Sequence, residues 1–164
     1  KVHPHRLDAF SSGEAGTLGL IDQGSVHWNR EIAFEWAPSP LLQPVFAIEN
    51  IATKAWPRVE IIVSHAGADG RLVDLLLAER QREPDAGVRG LVVAGTGNGT
   101  VHADLEAALL RAQAQGVAVV RSTRCVLGAV LPKASDVTPH APGLNPAKAR
   151  VALMMALLGG GLQQ

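Results

Sequence analysis

The sequence is poor in cysteine and in aromatic residues: its 164 residues include one cysteine, no tyrosine and only 4% aromatic residues. Because Cys125 is single, an internal disulfide is excluded, and no Cys-x-x-Cys or Cys/His spacing indicates a zinc site. No apolar run approaches the roughly 18 uncharged residues that a membrane helix needs. The sequence therefore predicts neither a metal site nor a membrane span.

An excess of charge of one sign is also lacking, since 15 basic residues balance 15 acidic ones. No sequence-wide field attracts nucleic acid or an anionic membrane, so we expect a partner that is recognised at a local site. The length fits one ordinary domain with a real core. The chain starts at Lys1 without an initiator methionine or a leader, from which we expect a processed or truncated piece. Its location is left open between the cytoplasm and the periplasm.

The first 57 residues are irregular in pattern. Prolines break any long periodic element there, at Pro4, Pro38, Pro40, Pro44 and Pro57. The run LGLI, the turn DQG and the run SVHW within this region predict a short β-hairpin with a glycine turn. We expect an N-terminal arm and hairpin over residues 1–57 and a compact α/β domain over residues 58–164.

The remainder of the chain alternates apolar runs with helical patterns. The runs VEIIVS, GLVVAG and VAVVRS predict three buried strands, which the intervening helices connect in parallel. The first helix is expected from Leu72 to about Arg82, with Leu72, Leu75, Leu76 and Glu79 on one face. The second is expected to bury Leu105, Ala108, Leu109 and Ala112 and to stop at Gly116. The pattern predicts an α/β sandwich.

A loop of about 20 residues follows Arg121, and loops of that length in compact domains are often functional. The last helix is well marked, because Asn145 is a natural cap, Pro146 suits the first turn, and Gly159 to Gly161 end the pattern. We expect its apolar face to lie on the sheet through Val151, Met154, Met155 and Leu158.

Three glycine-rich or polar segments follow the predicted strands, SHAGADG, GTGNGT and RSTRC, and ligands bind parallel sheets at these carboxyl ends. Phosphate binding by GTGNGT is poorly supported, because the segment lacks the P-loop lysine and does not match G-x-G-x-x-G. The structural alternative is that Thr100 and Asp69 cap the helices that follow them. The two interpretations are compatible, since a capping residue can also face a cleft.

The end of the third strand offers hydroxyl and thiol groups, at Ser122, Thr123 and Cys125, but no G-x-S-x-G elbow surrounds them. We expect a structural role here, in which Arg121 and Arg124 pair with acids or with loop carbonyls. His65 stays a candidate site residue at the end of the first strand.

Five motifs occur in a fixed order: GTLGLIDQGSVHW, SHAGADG, GLVVAGTGNGT, VAVVRSTR and GLNPAKARVALMMAL. Together they resemble the C-terminal half of bacterial L-asparaginases and glutaminase-asparaginases, over essentially the whole chain. The resemblance implies a flavodoxin-like parallel sheet between helices. It also implies a two-domain amidohydrolase that needs no cofactor and converts asparagine to aspartate and ammonia through an acyl-enzyme on a threonine.

The resemblance also implies that the catalytic half is missing. The family nucleophile lies in an N-terminal T-G-G-T turn and is helped by a Thr-Asp pair, a lysine and a lid tyrosine. This sequence has no TGGT, no TDT and no tyrosine. We therefore expect no catalytic residue in the chain, no activity of the chain alone, and two partners, the N-terminal catalytic half and further copies in a homo-oligomer. The substrate is expected to be asparagine, or glutamine as an alternative.

The resemblance implies that this half contributes to a neighbouring subunit's pocket at two places. The first, after the GNG turn, matches Thr100, where relatives carry asparagine or serine; a hydroxyl retains one donor and acceptor. The second is a glutamate of the family, for which ungapped counting reaches Ser135 while the nearest carboxylate is Asp136. We expect Asp136 to pair with the substrate ammonium and keep Ser135 as the alternative.

Two other functions stay open at this point. The chain could be a binding module without catalysis that uses the same strand ends. Alternatively, a nucleotide could be held by the amides of Gly99 and Thr100.

Overall fold

The computed structural model describes most of the chain, namely residues 4–8, 10–13, 16–29, 55–134, 136–141 and 143–158. The chain divides into two units, Lys1–Ala37 and Pro38–Gln164. Their boundary lies outside the described residues, and the division expected at Pro57 stays a prediction. Across the described ranges, none of the helices is long and apolar enough to cross a membrane.

The first unit contains the predicted hairpin. Strand β1 (Gly19–Asp22) pairs with strand β2 (Ser25–Trp28) in antiparallel register. Between them Gln23 has φ of 47° and Gly24 has φ of 81°. Positive φ at both central residues is typical of the type I′ turn, whose twist matches that of the flanking strands. The predicted hairpin is therefore confirmed.

The second unit is built on a three-stranded parallel sheet. Strands β3 (Val59–Val63), β4 (Gly90–Gly95) and β5 (Ala118–Thr123) lie in the order β3-β4-β5. Helix α1 (Arg71–Arg82) connects β3 to β4, and helix α2 (Ala103–Ala114) connects β4 to β5. Because the strands are parallel, all three end at the same edge of the sheet, and this is where the polar segments lie.

The sheet is covered on both faces. Alternate residues of a strand point to opposite faces, so Leu91 and Val93 join one apolar cluster with α1 and α2 while Val92 joins a second. The second cluster contains residues of helix α3 (Pro146–Leu158), including Leu153. The predicted α/β sandwich of helices and parallel strands is confirmed.

The buried face of α2 is the one that the sequence predicted, whereas the buried face of α1 differs in part from the prediction. In α2 the four predicted residues, Leu105, Ala108, Leu109 and Ala112, are all buried. In α1 the predicted face is only partly right: Leu76 is buried as expected, but Leu72 and Leu75 are 52% and 67% exposed. The other buried residues are Val73 and Leu77. Five of the first seven residues of α1 are leucine or valine, and they lie on more than one side of the helix. The sequence pattern therefore did not select the stripe that faces the sheet.

Helix α3 begins as expected, and the face that it packs on the sheet matches the expected one only in part. The Asn145 side chain accepts a hydrogen bond from the Lys148 amide at 3.0 Å, and Pro146 is the first helical residue. Its buried residues are Ala149, Leu153 and Ala156. Of the residues expected on the sheet, Met154 packs against the second cluster, whereas Val151 is 47% exposed. The helix is apolar nearly all round, and the small alanines allow close approach to the sheet. The expected stop at Gly159 to Gly161 lies outside the described residues.

Part of the long segment after β5 forms backbone hydrogen bonds with that strand. The Arg121 amide donates to the Pro139 carbonyl at 2.7 Å, and the Ala141 amide donates to the Arg121 carbonyl at 2.8 Å. These bonds form a parallel bridge between Arg121 and His140. The segment therefore returns to the edge of β5, which places its middle beside the carboxyl ends of the strands.

Candidate functional site

The carboxyl edge of the sheet is organised by polar contacts between the segments that follow the strands. After β3, the Ser64 hydroxyl accepts a hydrogen bond from the His102 amide at 2.9 Å. At the end of β5, the Thr123 hydroxyl donates to the Gly97 carbonyl at 2.6 Å. The first contact joins the segments that follow β3 and β4, and the second joins the end of β5 to the segment that follows β4.

The segment after β4 forms a closed turn, which we call the Thr96–Thr100 turn. The Thr96 amide donates to the Thr100 carbonyl at 3.0 Å, and the Thr100 amide donates to the Thr96 carbonyl at 2.8 Å. Gly97 and Gly99 have φ of 49° and 76°, a region that favours glycine. The turn therefore has a defined backbone and holds Thr100 exposed at the edge.

The predicted cap of α2 by Thr100 is wrong. The residue before the helix is His102, whose ring nitrogen Nδ1 accepts from the Asp104 amide at 3.4 Å. Thr100 closes the preceding turn instead, two residues too early to reach the helix. Asp69 does bind the start of its helix, because its carboxylate accepts a hydrogen bond from the Arg71 amide at 3.1 Å. Asp69 lies one residue before the N-cap, which is Gly70.

Asn98, in the middle of the turn, binds the loop that follows β5. Its side chain accepts from the Leu131 amide at 2.7 Å and donates to the Leu131 carbonyl at 3.0 Å. A side-chain amide that bonds both backbone groups of one residue imitates the pairing of a neighbouring strand. Asn98 was not singled out from the sequence, and the only signal was an amide side chain between two glycines.

Asp136 lies beside Arg121. Oδ2 of Asp136 forms an ion pair with Nη2 of Arg121 and accepts a hydrogen bond from the Lys133 amide at 2.7 Å. The Arg121 guanidinium and, to a smaller extent, the Lys133 amide lower the pKa of the Asp136 carboxyl from 3.8 to about 2. The carboxylate is therefore ionised at neutral pH. The expectation that Arg121 pairs with an acid is confirmed.

Arg121 also contacts the Thr96–Thr100 turn. The residue is only 8% exposed, and a Cβ added to Gly99 would lie 3.3 Å from both Cγ and Cδ of Arg121. Its side chain thus lies against the turn that carries Thr100 and ends at Asp136. The structure brings the segments of these two expected site residues together through Arg121, and Ser135 lies outside the described residues.

Comparison with known proteins identifies the family of this domain. Residues 58–162 match the family model of the Glutaminase/Asparaginase C-terminal domain. The chain belongs to this family. It is 32% identical to L-asparaginase 2 of Bacillus subtilis over 96% of the chain, and 33% identical to L-asparaginase 2 of Escherichia coli over 96% of the chain. It spans 39% and 43% of the length of these two relatives.

A solved structure shares the fold. The crystal structure of a probable cytoplasmic L-asparaginase from Campylobacter jejuni superposes with a TM-score of 0.75 at 32% identity and covers 96% of this chain and 45% of that chain. The similarity therefore extends over the hairpin region as well as over the asparaginase-family domain, and the flavodoxin-like fold that the motifs implied is confirmed.

The hydroxyls at the end of β5 have structural partners in this asparaginase-family domain. The Ser122 hydroxyl donates to the Leu144 carbonyl at 2.6 Å, and Thr123 Oγ1 accepts from the Cys125 amide at 3.0 Å. These contacts agree with the expected structural role. His65 is exposed, and its Nδ1 lies 2.9 Å from the Ala66 carbonyl oxygen.

A small cavity opens between the loop after β5 and the start of α3, lined by residues that include Thr123, Val130, Asn145 and Lys148. Its volume is about 80 Å³. Pockets that enclose a small-molecule ligand measure roughly 300–1,000 Å³, so this cavity alone does not enclose an amino-acid substrate.

Proposed function

We propose that the chain is the C-terminal lobe of an amidohydrolase that converts L-asparagine to L-aspartate and ammonia, with L-glutamine as the alternative substrate. In this proposal the lobe completes the substrate pocket of a neighbouring subunit in a homo-oligomer. The observation that carries the proposal is the Thr96–Thr100 turn, which holds an exposed hydroxyl at the edge where ligands of parallel sheets bind.

The turn supports a substrate contact through the Thr100 hydroxyl rather than through its backbone. The Thr100 amide is already bonded to the Thr96 carbonyl, so a nucleotide phosphate would have to displace that bond. The hydroxyl supplies one donor and two acceptor positions, which suit the carboxylate or the amide of a small amino acid. We assign Thr100 to substrate binding.

The second proposed contact is Asp136. Its pairing with Arg121 and the Lys133 amide keeps the carboxylate ionised, and both contacts use Oδ2. We propose that Oδ1 receives the α-ammonium of the substrate in a charge-assisted hydrogen bond. Ser135 is the alternative at this position. An Asp136→Asn variant that binds substrate as well as the unchanged enzyme would favour Ser135.

The reacting hydroxyl is proposed to lie in the N-terminal half of the longer enzyme. The chain spans about two fifths of the length of its curated relatives, and its hydroxyls at the β5 end have structural partners. The hairpin leaves Ile21 and Trp28 exposed, and an isolated two-stranded hairpin is only marginally stable in water. We propose that the catalytic half and further subunits cover such surfaces.

The proposal is tested by ammonia release from asparagine. The chain alone is expected to be inactive, and activity is expected when the N-terminal half of the enzyme is added. In the assembled enzyme, Thr100→Ala is expected to raise KM, whereas Asp85→Ala, an exposed residue of the loop that precedes β4 at the opposite edge of the sheet, serves as the control. Ammonia release by the chain alone would contradict the location of the nucleophile.

Calorimetric titration of the chain alone separates this function from that of a binding module. The amidohydrolase proposal predicts little heat with asparagine or aspartate, because most of the pocket belongs to the other half. Micromolar binding by the isolated chain would favour the binding module.

A further inference from the structure

Arg121 is a buried cation that contacts three separate segments of the chain. Its backbone pairs with the segment around His140, its methylenes lie against Gly99, and its guanidinium pairs with Asp136. The second and third contacts reach the two segments to which substrate binding is assigned above. We refer to residues 130–134 and 136 as the Asp136 loop.

We propose that Arg121 is a positioning residue that fixes the Thr96–Thr100 turn and the Asp136 loop relative to each other and thereby sets the affinity for substrate. The effect on substrate affinity rests on the proposed function. The coupling of the turn to the loop depends only on the contacts of Arg121.

Because the ion pair of Arg121 and Asp136 is buried, we expect it to fix the positions of the two side chains more than to stabilise the fold. The side chains of Arg121 and Asp136 are 10% and 13% exposed. Taking such charges out of water offsets most of their attraction, so a buried ion pair is often no more stable than apolar residues of similar volume. The contact of Nη2 with Oδ2 does, however, require both side chains to meet at one place, so the pair fixes where the Asp136 loop lies relative to Arg121.

The two contacts of the side chain can be separated by substitution. Arg121→Met keeps the methylenes against Gly99 and removes the guanidinium, so it should release the Asp136 loop and leave the turn in place. Arg121→Ala removes both and should release both segments. Arg121→Lys keeps a positive charge and should restore the Asp136 loop in part.

Amide hydrogen exchange in the 164-residue chain measures this directly. The reporters are the Thr100 amide, bonded to Thr96, and the Lys133 amide, bonded to Asp136. In Arg121→Met we expect the Lys133 protection to fall roughly 10-fold to 100-fold while that of Thr100 is kept; in Arg121→Ala both should fall. The Val92 amide in β4 is the control for global unfolding.

If the Arg121 variants fail to fold, Asp136→Asn breaks the same pair from the loop side. It should lower the Lys133 protection and leave that of Thr100, and wild-type protection of Lys133 in this variant would overturn the proposal. Wild-type protection of both reporters in a folded Arg121→Ala variant would do the same.

Kinetics of the assembled enzyme test the consequence for substrate. We expect Arg121→Met to raise KM roughly 10-fold or more with kcat within about twofold, and Arg121→Lys to recover part of the loss. A lower kcat at unchanged KM would overturn the positioning role. If the unchanged assembled enzyme releases no ammonia, the proposed function fails, whereas the exchange measurement still decides whether Arg121 couples the two segments.

Discussion

The interior of the sheet and its carboxyl edge are held together by different forces. In the interior, Leu91, Val92 and Val93 have no exposed surface and pack against helices on both faces. At the edge, hydrogen bonds and one buried ion pair join residues that are 15 to 38 positions apart in the chain. Apolar burial is non-directional, whereas the edge contacts require particular donors and acceptors. One apolar side chain of similar size can therefore replace another in the interior, whereas a polar side chain at the edge cannot be replaced without loss of its contact.

The largest expected effect is on the interior. Leu91→Ala should lower the free energy of unfolding by about 2–5 kcal/mol, because it removes buried methyl groups from the strand at the centre of the sheet and leaves a cavity. Leu75→Ala on α1 is the matched control, since Leu75 is largely exposed, and should change it by less than about 0.5 kcal/mol. Urea denaturation of both variants measures the difference, and equal losses would contradict the assigned core.

The next effect is on the backbone of the edge. Gly99→Ala should cost about 1–3 kcal/mol, because alanine is strained at φ of 76° and its Cβ would lie 3.1 Å from Cγ2 of Val130. Gly97→Ala shares the positive φ but meets no atom within 4 Å, so it should cost less. Thermal unfolding of the two variants gives the difference in stability that is due to the contact with Val130. An equal or larger loss in Gly97→Ala would mean that the turn does not pack on the loop after β5.

A smaller effect is expected from the amide that links turn and loop. Asn98→Ala removes both hydrogen bonds to Leu131 and should cost about 1 kcal/mol. Asn98→Asp keeps an acceptor for the Leu131 amide but loses the donor, so its loss should be intermediate. Chemical denaturation ranks the three proteins, and wild-type stability of Asn98→Ala would show that the link contributes nothing in solution.

The smallest expected effect is on the pH dependence of stability, through Asp136. The pKa of Asp136 is lowered in the folded state, so its contribution to stability is fully present above pH 3.8 and is lost as pH falls through about 2. Asp136→Asn should remove this part of the acid sensitivity and flatten Tm between pH 4 and about 2. Asp85→Asn, at an exposed carboxylate, is the control and should follow the wild type. Identical acid profiles of all three proteins would exclude the pairing of Asp136 with Arg121 in solution.

Much of the layered fold was predictable from the sequence, with errors in which side of a helix is buried. The apolar stripe of α2 is flanked by charged residues, and all four of its predicted core residues are buried. Helices α1 and α3 carry apolar residues on more than one side, so local pattern leaves several stripes open. Packing against the sheet then selected Val73 over Leu72, and Ala149 over Val151.

The substrate contacts of Thr100 and Asp136 stay predictions, but part of their surroundings was indicated by the sequence. Glycines between a strand and a helix indicated the turn that carries Thr100, and counting along the family resemblance reached Ser135, beside Asp136. The cap by His102, the link from Asn98 to Leu131 and the double contact of Arg121 were not predictable, because each depends on where a distant side chain lies in space.

By itself, the sequence determined the hairpin, the three parallel strands, the start of the last helix and the family, because these depend on residue types at short spacing. Only the tertiary structure decided which helix faces are buried and which loops bind each other at the carboxyl edge. The physical reason is that a hydrogen bond or ion pair between distant residues forms only after the sheet has brought their backbones within a few ångströms of each other.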